Sequence, residues 1–127
     1  MKIARGRAEG TLTEVRDATF VGTVHLDPIV PPQDGITINT VCFAPGAHTF
    51  WHSHENGQIL QVTAGEGYVC TAGEEPQVIR TGDTVWVPAG ERHWHGARPG
   101  TFMVHTATSL GTTRWEDRLG DGEYPQS

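Results

Sequence analysis

The sequence predicts an all-β fold, a sandwich or closed barrel of about nine or ten short antiparallel strands. Three observations predict it. Apolar residues make up 36% of the 127-residue chain, while Gly (16) and Pro (8) are frequent, a mixture that suits tight turns better than a helix bundle. The apolar residues recur in short runs rich in Val, Ile, Thr and aromatics, and no stretch keeps the period of an amphipathic helix. Most runs are bounded by Gly or Pro.

The elements follow in order. "TFVGTVHL" (19–26) reads as a strand and "PPQDG" (31–35) as a turn or loop. "ITINTVCFA" (36–44) is a β-branched strand ended by Pro45-Gly46. "HTFWHSH" (48–54) and "QILQVTAG" (58–65) are two strands separated by the hairpin-like turn "ENG". "GEGYVCTAGEEP" (65–76) gives a further strand and turn. "QVIR", "DTVWVP", "ERHWHGA" and "TFMVHTATS" complete the set up to residue 109. "RWEDRL" (114–119) reads as one short, solvated helical turn, and "GDGEYPQS" as a loose end. With no internal repeat, linker or low-complexity block, residues 1–127 read as one domain.

Bulk charge narrows the function. A net charge of −6 and nine scattered Lys and Arg residues exclude a nucleic-acid partner, which needs a clustered basic surface. The start "MKIARGRAEG" lacks the apolar core of a secretory signal, and no apolar run approaches the roughly 18 residues of a membrane span. Cys42 and Cys70 make no disulfide framework and read as free thiols of a cytoplasmic protein.

Seven histidines carry the chemistry: His25, His48, His52, His54, His93, His95 and His105. On a strand, residues i and i+2 share a face, about 7 Å apart. His52 and His54 therefore share one face, and His93 and His95 another. His105 shares a face with Met103 and Ala107, and Gln58 with Leu60 and Val62. Five imidazoles on three strand-like segments are costly to gather unless something binds them, because like charges repel on protonation. Neutral imidazole is the commonest transition-metal ligand, so the pattern points to a metal site. His25 and His48 stand outside it. Trp51 and Trp94 point away from the histidines they flank. With Trp86 they are expected in a second core layer or a subunit interface.

These residues resemble the two motifs of the cupin family. The first reads Gly46, five residues, His52-Ser53-His54, three residues, Gln58, six residues, Gly65. Gln58 stands where the usual pattern has Glu. The second reads Gly82, five residues, Pro88-Ala89-Gly90, two residues, His93, three residues, Ala97, with Ala97 in place of the usual Asn. The motifs span 46–65 and 82–97, and the resemblance implies a jelly-roll barrel. More narrowly, "HSHENGQ", "VTAGEG", "PAGERHWHGA" and "MVHTA" resemble the bacterial manganese-dependent cupin hydroxynitrile lyases. That resemblance implies metal ligation by His52, His54, Gln58 and His93. It further implies proton transfer by His105, with His95 as a further histidine of the pocket, and a small-molecule substrate. Pocket-wall candidates are Asn39, Val41, Phe50 and Ser109. The resemblance also implies association as a homodimer or homotetramer.

Three imidazoles and one neutral amide leave the charge of a divalent ion uncompensated by protein carboxylates, which favours Lewis-acid chemistry. The donors suit Mn, and equally Fe, Co, Ni or Zn. The same residues suit a dioxygenase, an isomerase or decarboxylase, or a non-catalytic binding protein. Oxygen dependence separates the first of these from a lyase.

Overall fold

A computed structural model describes all residues, 1–127. It contains twelve strands and no helix. They are β1 (Glu14–Val15), β2 (Phe20–Val21), β3 (Val24–Gln33), β4 (Ile36–Phe43), β5 (His48–Thr49), β6 (His52–His54), β7 (Gln58–Thr71), β8 (Gln77–Arg80), β9 (Thr84–Val87), β10 (His93–Ala97), β11 (Met103–Leu110) and β12 (Thr113–Trp115). All pair antiparallel, along the path β1-β3-β4-β11-β7-β10-β5-β2, with β6, β8, β9 and β12 joined at the sides. The all-β expectation holds. No helix is long and apolar enough to cross a membrane.

Several boundaries differ from the sequence expectation, each for a local reason. β3 runs on through the prolines to Gln33, with its register shifting between Pro28 and Val30 and again before Gln33. Such irregularities accommodate a residue that cannot donate to the ladder. "HTFWHSH" is broken at Phe50–Trp51 into β5 and β6. The two expected strands across 58–71 are one strand of 14 residues. The first half of β7 pairs with β11 and β9, and the second half with β10 and β8. A register shift opposite Val104/His105 marks where β7 bends from one sheet into the other. The four motif glycines, Gly46, Gly65, Gly82 and Gly90, all have positive φ. At Gly65 a Cβ would lie 1.9 Å from the Phe102 carbonyl oxygen, so only glycine lets the bend close against β11. "RWEDRL" forms no helical turn. Its first two residues, Arg114 and Trp115, belong to β12, paired with β6, and Leu119 is buried.

Alternation along the strands divides the interior. Leu60 and Val62 of β7, Val41 and Phe43 of β4, Val24 and Leu26 of β3, and Met103 and Ala107 of β11 form the main apolar cluster between the sheets. On the outer face of β10, Trp94 joins Trp51, Tyr68, Cys70, Leu119 and Tyr124 in a second cluster under the C-terminal segment. The expected second layer is therefore present for Trp51 and Trp94. It does not include Trp86, which is 73% exposed: β9 buries Val87 and turns Trp86 outward with nothing over it. Cys42 and Cys70 are both free thiols.

Candidate metal centre

The strands converge five imidazoles and one amide. His52 and His54 come from β6, Gln58 from the start of β7, His93 and His95 from β10, and His105 from β11. All six are buried. β10 is antiparallel to β6 with His93 opposite His52, which brings the two His-x-His pairs face to face. The ring centroids of His52 lie 5.0 Å from His54, 4.3 Å from His93 and 5.2 Å from His95. Ligand atoms of His52, His93 and His95 lie within 4.8 Å of one another. His54 stands slightly farther from His93, at 5.5 Å between centroids. The cluster thus brings His95 to ligand distance beside the four residues implied by the motifs.

Three of the rings are oriented by a bond on the outer nitrogen. His52 Nδ1 donates to the Phe50 carbonyl (2.9 Å) and His93 Nδ1 to the Glu91 carbonyl (3.0 Å). His54 Nδ1 meets Thr113 Oγ1 at 3.0 Å. A proton on Nδ1 leaves the Nε2 lone pair free, which is how outer partners prepare a metal-binding imidazole. The Nε2 atoms of His54 and His95 are buried with no protein partner. Burial holds His52, His54, His93 and His95 below the ordinary imidazole range, His54 at about 4. Neighbouring imidazoles push His52, His54 and His95 further in the same direction. The rings are therefore neutral near pH 7 and ready to donate lone pairs.

His93 supplies the sharpest test of fit. Its Nδ1 faces one oxygen acceptor, Glu91 O, while its Nε2 faces another, Gln58 Oε1, at 3.0 Å. A neutral ring carries one proton and cannot donate to both. The Gln58 amide nitrogen is engaged, donating to Ser109 Oγ at 3.1 Å. Two arrangements relieve the opposed lone pairs at Nε2 and Oε1: the amide turned over, or a cation shared between them. The second also satisfies the unpartnered Nε2 atoms nearby, so the residues fit a divalent ion.

Beside the cluster opens a cavity of about 400 Å³. His52, His54, Gln58, His95 and His105 line it, whereas His93 lines a separate pocket with Val87 and Glu91. His105 Nε2 and His95 Nδ1 are 3.0 Å apart, and His105 Nδ1 is buried without a partner. Burial lowers the pKa of His105 to about 4. Of the expected wall residues, Asn39, Val41 and Ser109 line the cavity and Phe50 does not. The break between β5 and β6 interrupts the alternation that would have put Phe50 on the face of His52. Its ring lies instead by the Arg118 guanidinium, 5.8 Å away. Sequence reasoning missed Phe20 and Trp115, which sit at the cavity with ring centroids 5.5 Å apart. Trp115 also lies 4.5 Å from His52. The signal was available only in the pairing of β12 with β6, across about 60 residues of chain. His25 and His48 lie outside the cluster, and His48 stacks on Tyr124.

A buried His/Gln cluster at the mouth of an antiparallel barrel defines the class, and the chain belongs to the cupin family. The family's cupin-domain model matches residues 39–106. Among individual relatives, the chain is 47% identical over 111 residues to an (R)-mandelonitrile lyase of Granulicella tundricola, covering 83% of this chain and 85% of that protein. A crystal structure of a cupin-like protein from Thermotoga maritima superimposes with a TM-score of 0.84 at 32% identity, over 92% of this chain and 95% of the other. A polyketide cyclase from Streptomyces resistomycificus shares the fold at a TM-score of 0.74 and 17% identity, over 99% and 90% of the two chains.

Proposed function

We propose that the protein is a metal-dependent hydroxynitrile lyase, cleaving cyanohydrins to an aldehyde and hydrogen cyanide or forming them in reverse. The observation that carries this is the convergence of neutral, pre-oriented imidazoles beside a small-molecule-sized cavity. The similarity to a mandelonitrile lyase supports the choice of reaction. His52, His54, Gln58 and His93 would hold a divalent transition ion, with His95 close enough to join; the resemblance to the manganese-dependent cupin lyases, rather than the donor set, selects Mn²⁺ among the ions these donors accept. When bound, such an ion supplies Lewis acidity toward a substrate oxygen, undiminished by any carboxylate in the donor set.

The remaining work falls to the chain. Burial keeps His105 neutral near pH 7, so it begins as a base. It takes the hydroxyl proton of the cyanohydrin on its ring, which lines the cavity. The carbon–carbon bond breaks, its electron pair leaves with cyanide, and the oxygen becomes the aldehyde carbonyl. His105 then returns the proton to cyanide, and the ring is restored. His95 holds His105 in place through the contact at Nε2. Leu26, Val41 and Ala107 line the cavity and limit water, while Asn39 and Ser109 offer polar contacts.

The test is to identify the metal in purified protein and follow mandelonitrile conversion to benzaldehyde in loaded and chelated samples. Conversion no faster than the chelated control overturns the reading. The same assay under argon must run equally well, since conversion that stops without oxygen assigns the site to an oxygenase.

A further inference from the structure

We infer that Ser109 is the positioning residue for Gln58, its hydroxyl letting the Gln58 amide hold two orientations: oxygen toward His93 when the ion is bound, and nitrogen toward His93 when it is not. The inference rests on the metal centre above and is independent of the reaction that centre serves.

Gln58 opens β7, and the antiparallel ladder sets Ser109 of β11 directly opposite it. Residues directly opposite share a face, so the two side chains meet at the cavity, which both line. Gln58 is buried, and its amide is held between two neighbours. On one side the nitrogen donates to Ser109 Oγ at 3.1 Å; on the other the oxygen faces His93 Nε2 at 3.0 Å. The His93 ring has no freedom to resolve that second contact. Its Nδ1 donates to the Glu91 carbonyl, a main-chain acceptor two residues earlier, so Nε2 presents a lone pair.

A lone pair opposite an amide oxygen is favourable only with a cation between them. Without one, the amide is more stable turned over, its NH₂ donating to His93 Nε2. The last side-chain torsion of Gln is broad and roughly two-fold, so the turn needs no movement of the strand. It does change what faces residue 109, where a donor is replaced by an acceptor. A residue able only to accept, or only to donate, would satisfy one orientation and oppose the other. A hydroxyl does both by rotating its hydrogen. Ser109 therefore accepts from the amide nitrogen in the loaded protein and donates to the amide oxygen in the metal-free one. The centre can release its ion without leaving a buried amide unpaired. The amide must also swing back before its oxygen can serve as a ligand, so the apparent affinity is scaled by the fraction already in that orientation.

The experiment has a spectroscopic arm and an affinity arm. Protein labelled with ¹⁵N and ¹³C is compared metal-free and loaded with Zn²⁺, a diamagnetic ion these donors accept. The side-chain amide signal of Gln58 is assigned from its loss in Gln58→Glu. In the metal-free protein its protons are expected to show nuclear Overhauser contacts to the His93 ring, and in the loaded protein to the Ser109 β-protons instead. Zn²⁺ affinity is read separately, by competition with a chromophoric chelator. Ser109→Ala should weaken it about tenfold, the scale of one buried hydrogen bond to an amide polarised by the ion. Ser109→Thr, which keeps the hydroxyl, should stay within about threefold of wild type. Amide protons that face Ser109 in both states overturn the inference, as does an affinity in Ser109→Ala within about twofold of wild type. A loss in Ser109→Ala that threonine does not restore assigns the effect to packing and overturns it too. Protein that takes up no Zn²⁺ overturns the metal centre and this inference with it, an outcome distinct from uptake without a turn of the amide. If Ser109→Ala does not fold, Ser109→Cys, a weaker donor and acceptor of similar size, takes its place with the same expected direction.

Discussion

Acid should destabilise the metal-free protein well before its carboxylates titrate, and His105 sets the scale. In the native state burial holds this ring neutral, with its pKa lowered from 6.5 to about 4. In the unfolded chain the ring regains its ordinary value. Between those two values the unfolded chain binds a proton that the native protein refuses. The stability contributed is fully present above about pH 6.5 and is lost as pH falls toward 4. A shift of about 2.5 units at 1.36 kcal/mol each makes the full loss about 3 kcal/mol, of which about 2 kcal/mol is gone by pH 5. His52 and His95 are also pushed well below the usual range by burial, so His105 alone gives a lower bound. Domains of this size are stable by about 5–15 kcal/mol, so the loss is a large fraction of the whole. Urea unfolding followed by tryptophan fluorescence, in excess chelator at pH 7.5 and pH 5.0, measures it directly. His105→Leu should show a pH dependence smaller by about 2 kcal/mol over that range. Stability that is flat to within about 0.5 kcal/mol in the wild type, or the same slope in the variant, would refute the reasoning.

Four further outcomes are expected. His105→Ala should retain normal metal content by elemental analysis and lose about 10²–10⁴-fold in kcat for cyanohydrin cleavage, the range for removal of an acid–base group. Thr113→Val leaves His54 Nδ1 without its 3.0 Å partner and should weaken metal binding about tenfold or more in a chelator competition, although Thr113 is not itself among the proposed ligands. Gly96→Ala places a Cβ 2.4 Å from His48 Cβ and 2.5 Å from the Ala47 carbonyl oxygen. Because the obstruction includes backbone, it should destabilise by about 2–3 kcal/mol, read as a lower denaturation midpoint. Trp86→Gln, on a residue with nothing packed over it, should leave the unfolding free energy of the monomer unchanged to within about 0.5 kcal/mol.

The sequence made the two His-x-His pairs legible because strand alternation is local: residues two apart share a face whatever the rest of the chain does. His105 was legible for the same reason, buried in register with Met103 and Ala107. What failed was what depends on distant chain. Phe50 was misplaced because a two-residue break between β5 and β6 resets the alternation, and no Gly or Pro announces it. Residues 58–71 read as two strands divided at Gly65. In the structure Gly65 and Gly67 are the points where one long strand bends and passes close to its neighbours, a Cβ at Gly67 meeting the Gly96 carbonyl oxygen at 2.2 Å. "RWEDRL" looked like a solvated turn because its residues are mostly charged. Its partner strand, β6, lies about 60 residues earlier, and only that pairing brings Trp115 to the cavity. Trp86 and Trp94 carry the same local signal. They differ because the C-terminal segment covers β10 and leaves β9 bare, which no short window of sequence records.

The rings of the cluster are not prepared in the same way. His52 and His93 take their orientation from carbonyls two residues before them, a device complete within three residues of chain. His54 takes its orientation from Thr113, 59 residues later. During synthesis the first two donors can therefore be set as soon as their strands form, while the last waits for β12 to dock on β6. The hydroxyl of Thr113 acts as a latch. Whatever peels that short strand away, a protease or a competitor for the edge of β6, would loosen the grip on an ion held as proposed without touching one of the proposed ligands.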